Sequence, residues 1–164
     1  MAYQTQNRIG RTKFSPNTTK QGFLLEDGDV IYAHTLCGIL ASNGKLCNLN
    51  GNEDAVTAIL YADEKLHDGA PAFGDGGVVT TEFSDRVKAG APYATTVEAL
   101  SGQIAYLEAT GLSAGDEGAE CYLVDDHTVT VTDAGDGSTP YVGKIRKVID
   151  ATYAEVYIPG LQRD

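Results

Sequence analysis

The residue types best suited to nucleophilic chemistry in this sequence are its three histidines and three cysteines. A nucleophilic site needs a Ser, Cys or Thr beside a base that a third group orients. The histidines, His34, His67 and His127, stand in unrelated local contexts, and no Gly-x-Ser-x-Gly motif is present to expose a serine. The pattern predicts histidines at the surface or in turns, no catalytic residue, and a protein that is not an enzyme.

Two stretches contain residue types that bind metals. His34, Cys37 and Cys47 offer three zinc ligands, whereas a structural zinc site uses about four. Asp133 and Asp136 bring oxygen ligands to a glycine-containing loop, but the alternating spacing and the closing Glu of a calcium loop are missing. A turn is the better interpretation of that loop, and the sequence predicts neither a metal nor a cofactor.

The cysteines also bear on the compartment. The first residues lack an apolar run of ~7–15, and no apolar stretch approaches ~20, so the sequence predicts neither a signal peptide nor a membrane span. A protein made in the cytoplasm is expected to keep Cys37, Cys47 and Cys121 as buried thiols. The alternative is a disulfide between Cys37 and Cys47, which flank the turn at Ser42-Asn43-Gly44.

The charge is strongly acidic and unevenly distributed. The formal net charge is −11, which argues against nucleic-acid binding because phosphate contacts need Lys and Arg. Residues 1–20 contain four basic and no acidic side chains, whereas the rest of the chain carries 8 basic and 23 acidic ones, a balance of −15. A basic, polar segment before an acidic body predicts an arm that is flexible alone and orders on a partner. An ordinary disordered terminus is the alternative.

The stretch around which the chain is organised is residues 45–63. Asn50-Gly51-Asn52 favours a reversal between a short strand and a longer apolar one. Period two places Val56, Ala58, Leu60 and Ala62 on one face and Thr57, Ile59 and Tyr61 on the other. A helix capped by Asn52 is the rival interpretation, because short apolar runs are ambiguous by periodicity.

The rest of the chain predicts a mainly β fold with one or two helices. The 19 glycines indicate many turns and many short strands. Val97, Leu100, Ile104 and Leu107 recur at helical spacing, which predicts a helix over residues 95–109 with Gly102 in its interior. Alternation or apolar runs predict further strands at residues 30–33, 36–40, 79–83, 121–124, 129–131, 141–149 and 154–158.

The central hairpin and the segment after it resemble the head decoration proteins of lambda-type tailed phages. The resemblance rests on Gly44-Lys45-Leu46, Asn50-Gly51, Ala55 to Leu60 and Gly76 to Phe83, and it covers residues 23–92. It is a pattern of small apolar residues rather than a catalytic signature. It implies a small β-rich fold of β-tulip or barrel type, a homotrimer, and a place on the outside of an icosahedral capsid.

The last third is similar to a second class of phage capsid-associated β domains. The similar residues are Tyr122-Leu123-Val124, Gly143-Lys144-Ile145 and Glu155-Val156-Tyr157-Ile158. The expected organisation is therefore an N-terminal arm (1–22), a decoration-like β domain (23–92), and a helix with a second small β region (93–164).

These resemblances imply a structural virion protein, made in the host cytoplasm, that decorates and stabilises the expanded capsid. The expected partners are the major capsid protein and two further copies of the chain, with no nucleic acid and no membrane. The arm is expected to bind the capsid by joining a sheet edge on the shell. The residues expected to do so are Tyr3, Arg8, Ile9, Arg11, Lys13 and Phe14. The alternatives are an adhesin or host-surface accessory protein, and an enzyme whose site is formed by loops.

Overall fold

The computed structural model describes residues 12–24, 26, 29, 31, 34–62, 73–74, 78–79, 96–133, 135 and 139–162. Strands account for 56% of the structure and short helical turns for 6%, which confirms the prediction of a mainly β protein with a barrel. The predictions about His67, Asp136 and residues 80–83 lie outside the described part of the chain.

The described residues contain eleven strands, which follow one another as β1 (Thr12–Leu24), β2 (Leu36–Leu40), β3 (Leu46–Cys47), β4 (Val56–Ala62), β5 (Phe73–Gly74), β6 (Val78–Val79), β7 (Thr96–Ala109), β8 (Glu120–Asp125), β9 (Thr128–Thr130), β10 (Tyr141–Val148) and β11 (Tyr153–Ile158). Strands β5 and β6 pair only with each other, and the other nine form one sheet. The predicted strands at residues 36–40, 121–124, 141–149 and 154–158 are confirmed within one or two residues.

Five strands close into a barrel in the order β7-β11-β10-β8-β9, and β9 returns to β7. Four of the five pairings are antiparallel, and the β7–β9 pairing is parallel. The inward residues of β8 and β11 alternate with half-buried or exposed ones, as expected for strands with one face in a core. The barrel interior is filled by small and branched side chains such as Ala105, Cys121, Val129, Ile145 and Val156.

The remaining strands of the sheet extend from the first half of β7. Strand β4 pairs with β7 through Tyr61 and Ala62, and β2 and β3 follow it outward. The β2–β4 layer is buried on both faces in β2, β3 and residues 59–62, whereas Thr57 at the start of β4 is exposed. Ile59 and Tyr61 pack toward the barrel core, whereas Leu60 and Ala62 join a second cluster. The two-faced arrangement predicted for residues 56–62 is confirmed from Ala58 onward. It is wrong for Val56, which packs against the barrel cluster rather than with Leu60 and Ala62.

The central stretch folds as a strand, a turn and a second strand, as predicted. Gly51 adopts a φ of 82°, a left-handed conformation that glycine reaches without a steric penalty. The side chain of Asn52 donates to the carbonyl of Asn48 and holds the reversal. The rival helix is reduced to a 3-10 turn at Glu53–Ala55, after which the chain enters β4.

The predicted helix at residues 95–109 is wrong, because this segment is strand β7. Strand β7 pairs with β1, β4, β9 and β11 and is buried on both faces through its middle, so apolar side chains occur at both odd and even positions. Such a strand can show helical spacing by coincidence. Gly102 has a φ of 70°, which no right-handed helix contains. No helix of seven or more residues occurs in the described ranges, and the helical content consists of 3-10 turns such as Glu53–Ala55 and Ala114–Asp116.

The second half of the predicted arm is ordered by the chain itself. Residues 12–24 form β1 and pair antiparallel with β7, from Thr12 opposite Ala105 to Leu24 opposite Thr96. The register shifts between Phe14 and Thr19, where the extra residues pass over Gly102 and the Thr18 hydroxyl donates to its carbonyl. Strand β7 therefore supplies a pairing partner for residues 12–24, and the flexibility of the arm in the free protein stays a prediction. The predictions for residues 1–11 lie outside the described residues.

The domain boundaries at residues 22 and 92 stay a prediction. Strands from all three predicted segments join one sheet, because β7 of the third segment pairs with β1 of the first and β4 of the second.

Candidate functional site

A cluster of buried polar residues lies at the turn between β8 and β9. The turn consists of Asp126 and His127, and it is shaped by Asp125, whose Oδ1 accepts the backbone N–H of His127 at 3.0 Å. A carboxylate that bonds the chain two residues ahead favours a turn over a continued strand. The sequence prediction of a turn here is confirmed.

The turn is buried. Asp125, Asp126 and His127 keep only 5%, 7% and 8% of their accessible surface. Two other elements hold the turn in place. The backbone N–H of Leu36, at the start of β2, donates to the carbonyl of Asp126 at 2.7 Å, and the backbone N–H of Glu108, in β7, donates to the carbonyl of His127 at 3.1 Å. The polar turn is thereby enclosed between the barrel and the β2–β4 layer.

The three side chains converge on one point. Nδ1 of His127 lies 2.8 Å from Oδ1 of Asp126 and 3.1 Å from Oδ1 of Asp125. On the other side of the ring, Nε2 lies 3.9 Å from Oε2 of Glu108, whose side chain is 41% exposed. One ligand atom from each of the three turn residues lies within 4.8 Å of the others. This arrangement can hold a charged imidazolium by hydrogen bonds or bind a cation.

A second buried histidine precedes β2. His34 is 8% exposed, and its Nδ1 lies 3.3 Å from the hydroxyl of Tyr61. Its φ of 58° is uncommon for a residue other than glycine. Tertiary contacts of the two residues after His34 hold this conformation, since the Thr35 carbonyl accepts the N–H of Ala62 and the Leu36 N–H donates to the β8–β9 turn.

The three residues considered as potential zinc ligands, His34, Cys37 and Cys47, do not form a ligand group. Cys37 and Cys47 lie in the outer cluster with Leu60, whereas His34 contacts Tyr61, which packs toward the barrel. The one group of three potential ligands found among the described residues is the β8–β9 turn. In the loop considered for calcium, Asp133 accepts the N–H of Gly135 at 2.9 Å and closes a local turn.

The cysteines behave as buried thiols, as predicted, and the alternative of a disulfide is wrong. Burial is the largest effect on each. It raises the pKa of Cys121 to about 12 and, with the nearby charges of Asp29 and Glu26, raises the pKa of Cys47 to about 12. Burial also raises the pKa of Cys37. Because the thiolate is the reactive form, these three thiols are unsuited to nucleophilic catalysis near neutral pH.

A shallow cleft lies between the start of β4 and the open end of the β10–β11 hairpin. It has a volume of about 240 Å³ and is lined by residues 56–59, residues 140–142, and Pro159, Gly160 and Gln162. Ligand pockets are usually about 300–1,000 Å³. Tyr141 is the one titratable residue in its lining. The cleft therefore offers little for acid–base chemistry, but the edge of β4 that faces it pairs with no described strand before Tyr61.

The predicted capsid-binding residues are described only in part. Tyr3, Arg8, Ile9 and Arg11 lie outside the described residues. Lys13 and Phe14 lie in β1, opposite Ile104 and Gln103 of β7. Their backbone is therefore paired on one edge.

Sequence reasoning treated His127 as an ordinary turn histidine and passed over the two acids beside it. The available signal was the composition of the turn, since two acids and a histidine in succession are potential ligands wherever they meet. Their burial depends on β2 and β7, which are remote in sequence, so the pattern alone did not reveal it.

No known protein family matches the sequence, and no curated protein matches it. Within the described ranges, no helix combines the length and apolar character needed to cross a membrane.

Proposed function

We propose that this protein is a structural virion subunit that decorates and stabilises the outer surface of an expanded icosahedral phage capsid. The proposal begins from the resemblance of residues 23–92 to lambda-type head decoration proteins. The observation that carries it is the position of β1, which belongs to the basic N-terminal segment and lies at an edge of the sheet.

Strand β1 has one neighbour among the described strands. It pairs with β7 along one edge, and its other edge faces no described strand. Thr19, Lys20, Gln21 and Gly22 are exposed, and Leu24 keeps 42% of its surface. An open edge of this kind can accept a strand from another chain, and the main-chain hydrogen bonds then supply affinity without a special side-chain pocket.

The charge distribution supports the same surface. All 23 acidic residues belong to the body, whereas residues 1–20 carry four basic side chains and no acidic one. A shell surface that carries negative charge would attract this edge and repel the body, which fixes the orientation of binding. Three copies around a capsid three-fold position would add their weak contacts through effective concentration.

Decoration stabilises the expanded shell only if the protein binds that shell better than its precursor. The free energy gained equals the difference in binding between the two forms. The first test therefore mixes purified protein with undecorated expanded heads and with unexpanded precursors of the same phage and measures co-sedimentation. We expect binding to expanded heads, weak uptake by precursors, and greater resistance of decorated heads to heat or chelator.

A pair of proline variants tests whether the β1 edge makes the contact. Gln21 and Gly22 are adjacent and uncharged, and the N–H groups of adjacent strand residues point to opposite edges. Gln21→Pro and Gly22→Pro each remove one N–H, from the β7 side in one case and from the open edge in the other. The substitution that removes an N–H from the open edge should leave Tm unchanged and abolish binding to heads. The substitution that removes an N–H from the β7 side should lower Tm.

Equal binding to both shells would contradict stabilisation and favour a host-facing accessory protein. If both proline variants bound heads normally, the β1 edge would not make the contact with the capsid. If the full-length protein bound neither shell, the proposed function would be wrong.

A further inference from the structure

We propose that Asp125, Asp126 and Nδ1 of His127 bind one divalent first-row metal ion of the Mn²⁺ or Zn²⁺ type at the closing seam of the barrel, and that Glu108 orients the imidazole from its other ring nitrogen. This site is independent of capsid binding. It rests on the donor atoms, their spacing, their burial and their place in the topology.

The donor set suits such an ion. One imidazole nitrogen and several carboxylate oxygens are ligands shared by Zn²⁺ and Mn²⁺, whereas Mg²⁺ and Ca²⁺ prefer oxygen alone. The histidine distinguishes this group from an ordinary acidic cluster. Its two ring nitrogens are flanked on one side by Asp125 and Asp126 and on the other by Glu108.

The spacing also suits a shared ion. With metal–ligand distances of about 2.1 Å, neighbouring ligand atoms lie roughly 3.0 Å apart in an octahedral site and roughly 3.4 Å apart in a tetrahedral one. Nδ1 of His127 lies 2.8 and 3.1 Å from the two aspartate oxygens, close to octahedral edges. Glu108 lies by the opposite ring nitrogen, with its Oε2 3.9 Å from Nε2, so it is not a ligand of the same ion. Its side chain is 41% exposed and can approach to accept the Nε2–H, as carboxylates beside metal-bound histidines do.

The backbone around the donors is preorganised. The turn carbonyls accept hydrogen bonds from β2 and β7, and the side chains of Asp125, Asp126 and His127 keep only 7%, 10% and 11% of their surface. A metal site held by secondary-structure elements loses little entropy on binding, because its ligands are already fixed.

The proposed site lies beside the shortest strand pairing of the barrel, which indicates a structural role for the ion. Strands β7 and β9 pair at two positions, Glu108 with Thr128 and Ala109 with Val129, the fewest of any pairing in the barrel. The proposed site lies at this seam, since His127 immediately precedes β9 and Glu108, which faces its ring, lies in β7. An ion on Nδ1 would fix the imidazole, and with it the contact of Nε2 with Glu108 across the seam, where the backbone pairing of the barrel is shortest.

The test uses the full-length protein, stripped with chelator and titrated separately with Zn²⁺, Mn²⁺ and Ca²⁺. We expect saturable binding of one Zn²⁺ or Mn²⁺ per chain, a rise in Tm on binding, and no comparable effect of Ca²⁺. Asp126→Asn and His127→Gln should each weaken binding by about tenfold or more. Asp150→Asn is the matched control, because it makes the same chemical change in an exposed turn.

A second measurement does not depend on variants that fold. Co²⁺ added to the wild-type protein should broaden the imidazole resonances of His127 before those of His67. Weak, non-stoichiometric binding by the wild type would overturn the proposal, and so would Asp126→Asn and His127→Gln proteins that bind like the wild type. In either case the turn would be a hydrogen-bonded cluster without a metal.

Discussion

Gly143 provides the sharpest test of the barrel packing. A Cβ atom placed on this residue would lie 1.9 Å from the carbonyl oxygen of Tyr157 and 2.9 Å from its carbonyl carbon. Real Cβ atoms essentially never approach heavy atoms within 3.0 Å, so Gly143→Ala must separate the two backbones by about 1 Å. The obstacle is main chain, and no side-chain rotation can relieve it.

The strand cannot shift freely, which sets the magnitude. Gly143 pairs with Cys121 of β8, and the next residue, Lys144, pairs with Tyr157 of β11. Overpacking typically costs about 1–3 kcal/mol, and each ladder hydrogen bond weakened by the shift adds about 1 kcal/mol. We expect Gly143→Ala to lower the free energy of unfolding by about 3–5 kcal/mol, which is roughly 6–20 °C in Tm for a chain of this size.

Two other glycines provide matched controls for urea and thermal unfolding. At Gly111 a Cβ meets nothing within 4 Å, but its φ of 72° is left-handed, so Ala should cost about 1–2 kcal/mol. At Gly115 the nearest atom is 3.8 Å away and φ is not positive, so Ala should change stability by less than about 0.5 kcal/mol. If Gly143→Ala unfolded at the same Tm as Gly115→Ala, the β10–β11 contact and the barrel closure described here would be incorrect.

Three further predictions concern titration and packing. Burial raises the pKa of Cys47 from 9.0 to about 12, so its contribution to stability should be complete below pH 9 and decline as pH rises toward 12, as pH-dependent urea midpoints would show. Iodoacetamide should label its thiol only after unfolding. Bonds from Thr152 and Tyr153 lower the pKa of Asp150, so stability from this turn should be present above pH 3.8 and decline below it. Asp150→Ala should abolish that dependence. If the variant lost stability at low pH as the wild type does, the contribution of the turn would be contradicted. The rings of Tyr106 and Tyr153 stack at 5.1 Å, and a double-mutant cycle to Leu should give a coupling of about 0.5–1.5 kcal/mol, with zero coupling contradicting the stack.

The sequence by itself determined the elements whose signals are local. Asn50-Gly51-Asn52 specified the central reversal, because these residues tolerate left-handed backbone and bond their own chain. The alternation of Ala154, Val156 and Ile158 specified β11, because one face of that strand is buried and the other is half-buried. The buried thiols also followed from the odd number of cysteines and from the expectation of a reducing compartment.

Strand β7 shows where local signals fail. Its four apolar residues at helical spacing predicted a helix, but hydrogen bonding to four other strands determined its conformation. A strand buried on both faces loses the period-two pattern that identifies it, so its sequence cannot be distinguished from that of a helix. Propensity differences of a few tenths of a kcal/mol per residue are small beside the pairing and burial that the sheet supplies.

The candidate metal site was decided by tertiary structure in the same way. The succession Asp125-Asp126-His127 is visible in the sequence and predicts a turn. Its enclosure requires β2 and β7, which begin 89 and 29 residues before Asp125 along the chain. A polar turn at a hairpin end is ordinarily solvated, and only packing against distant strands removes it from water and aligns its ligand atoms. The identity of the residues was therefore set by the sequence, and their burial and convergence by the closure of the barrel.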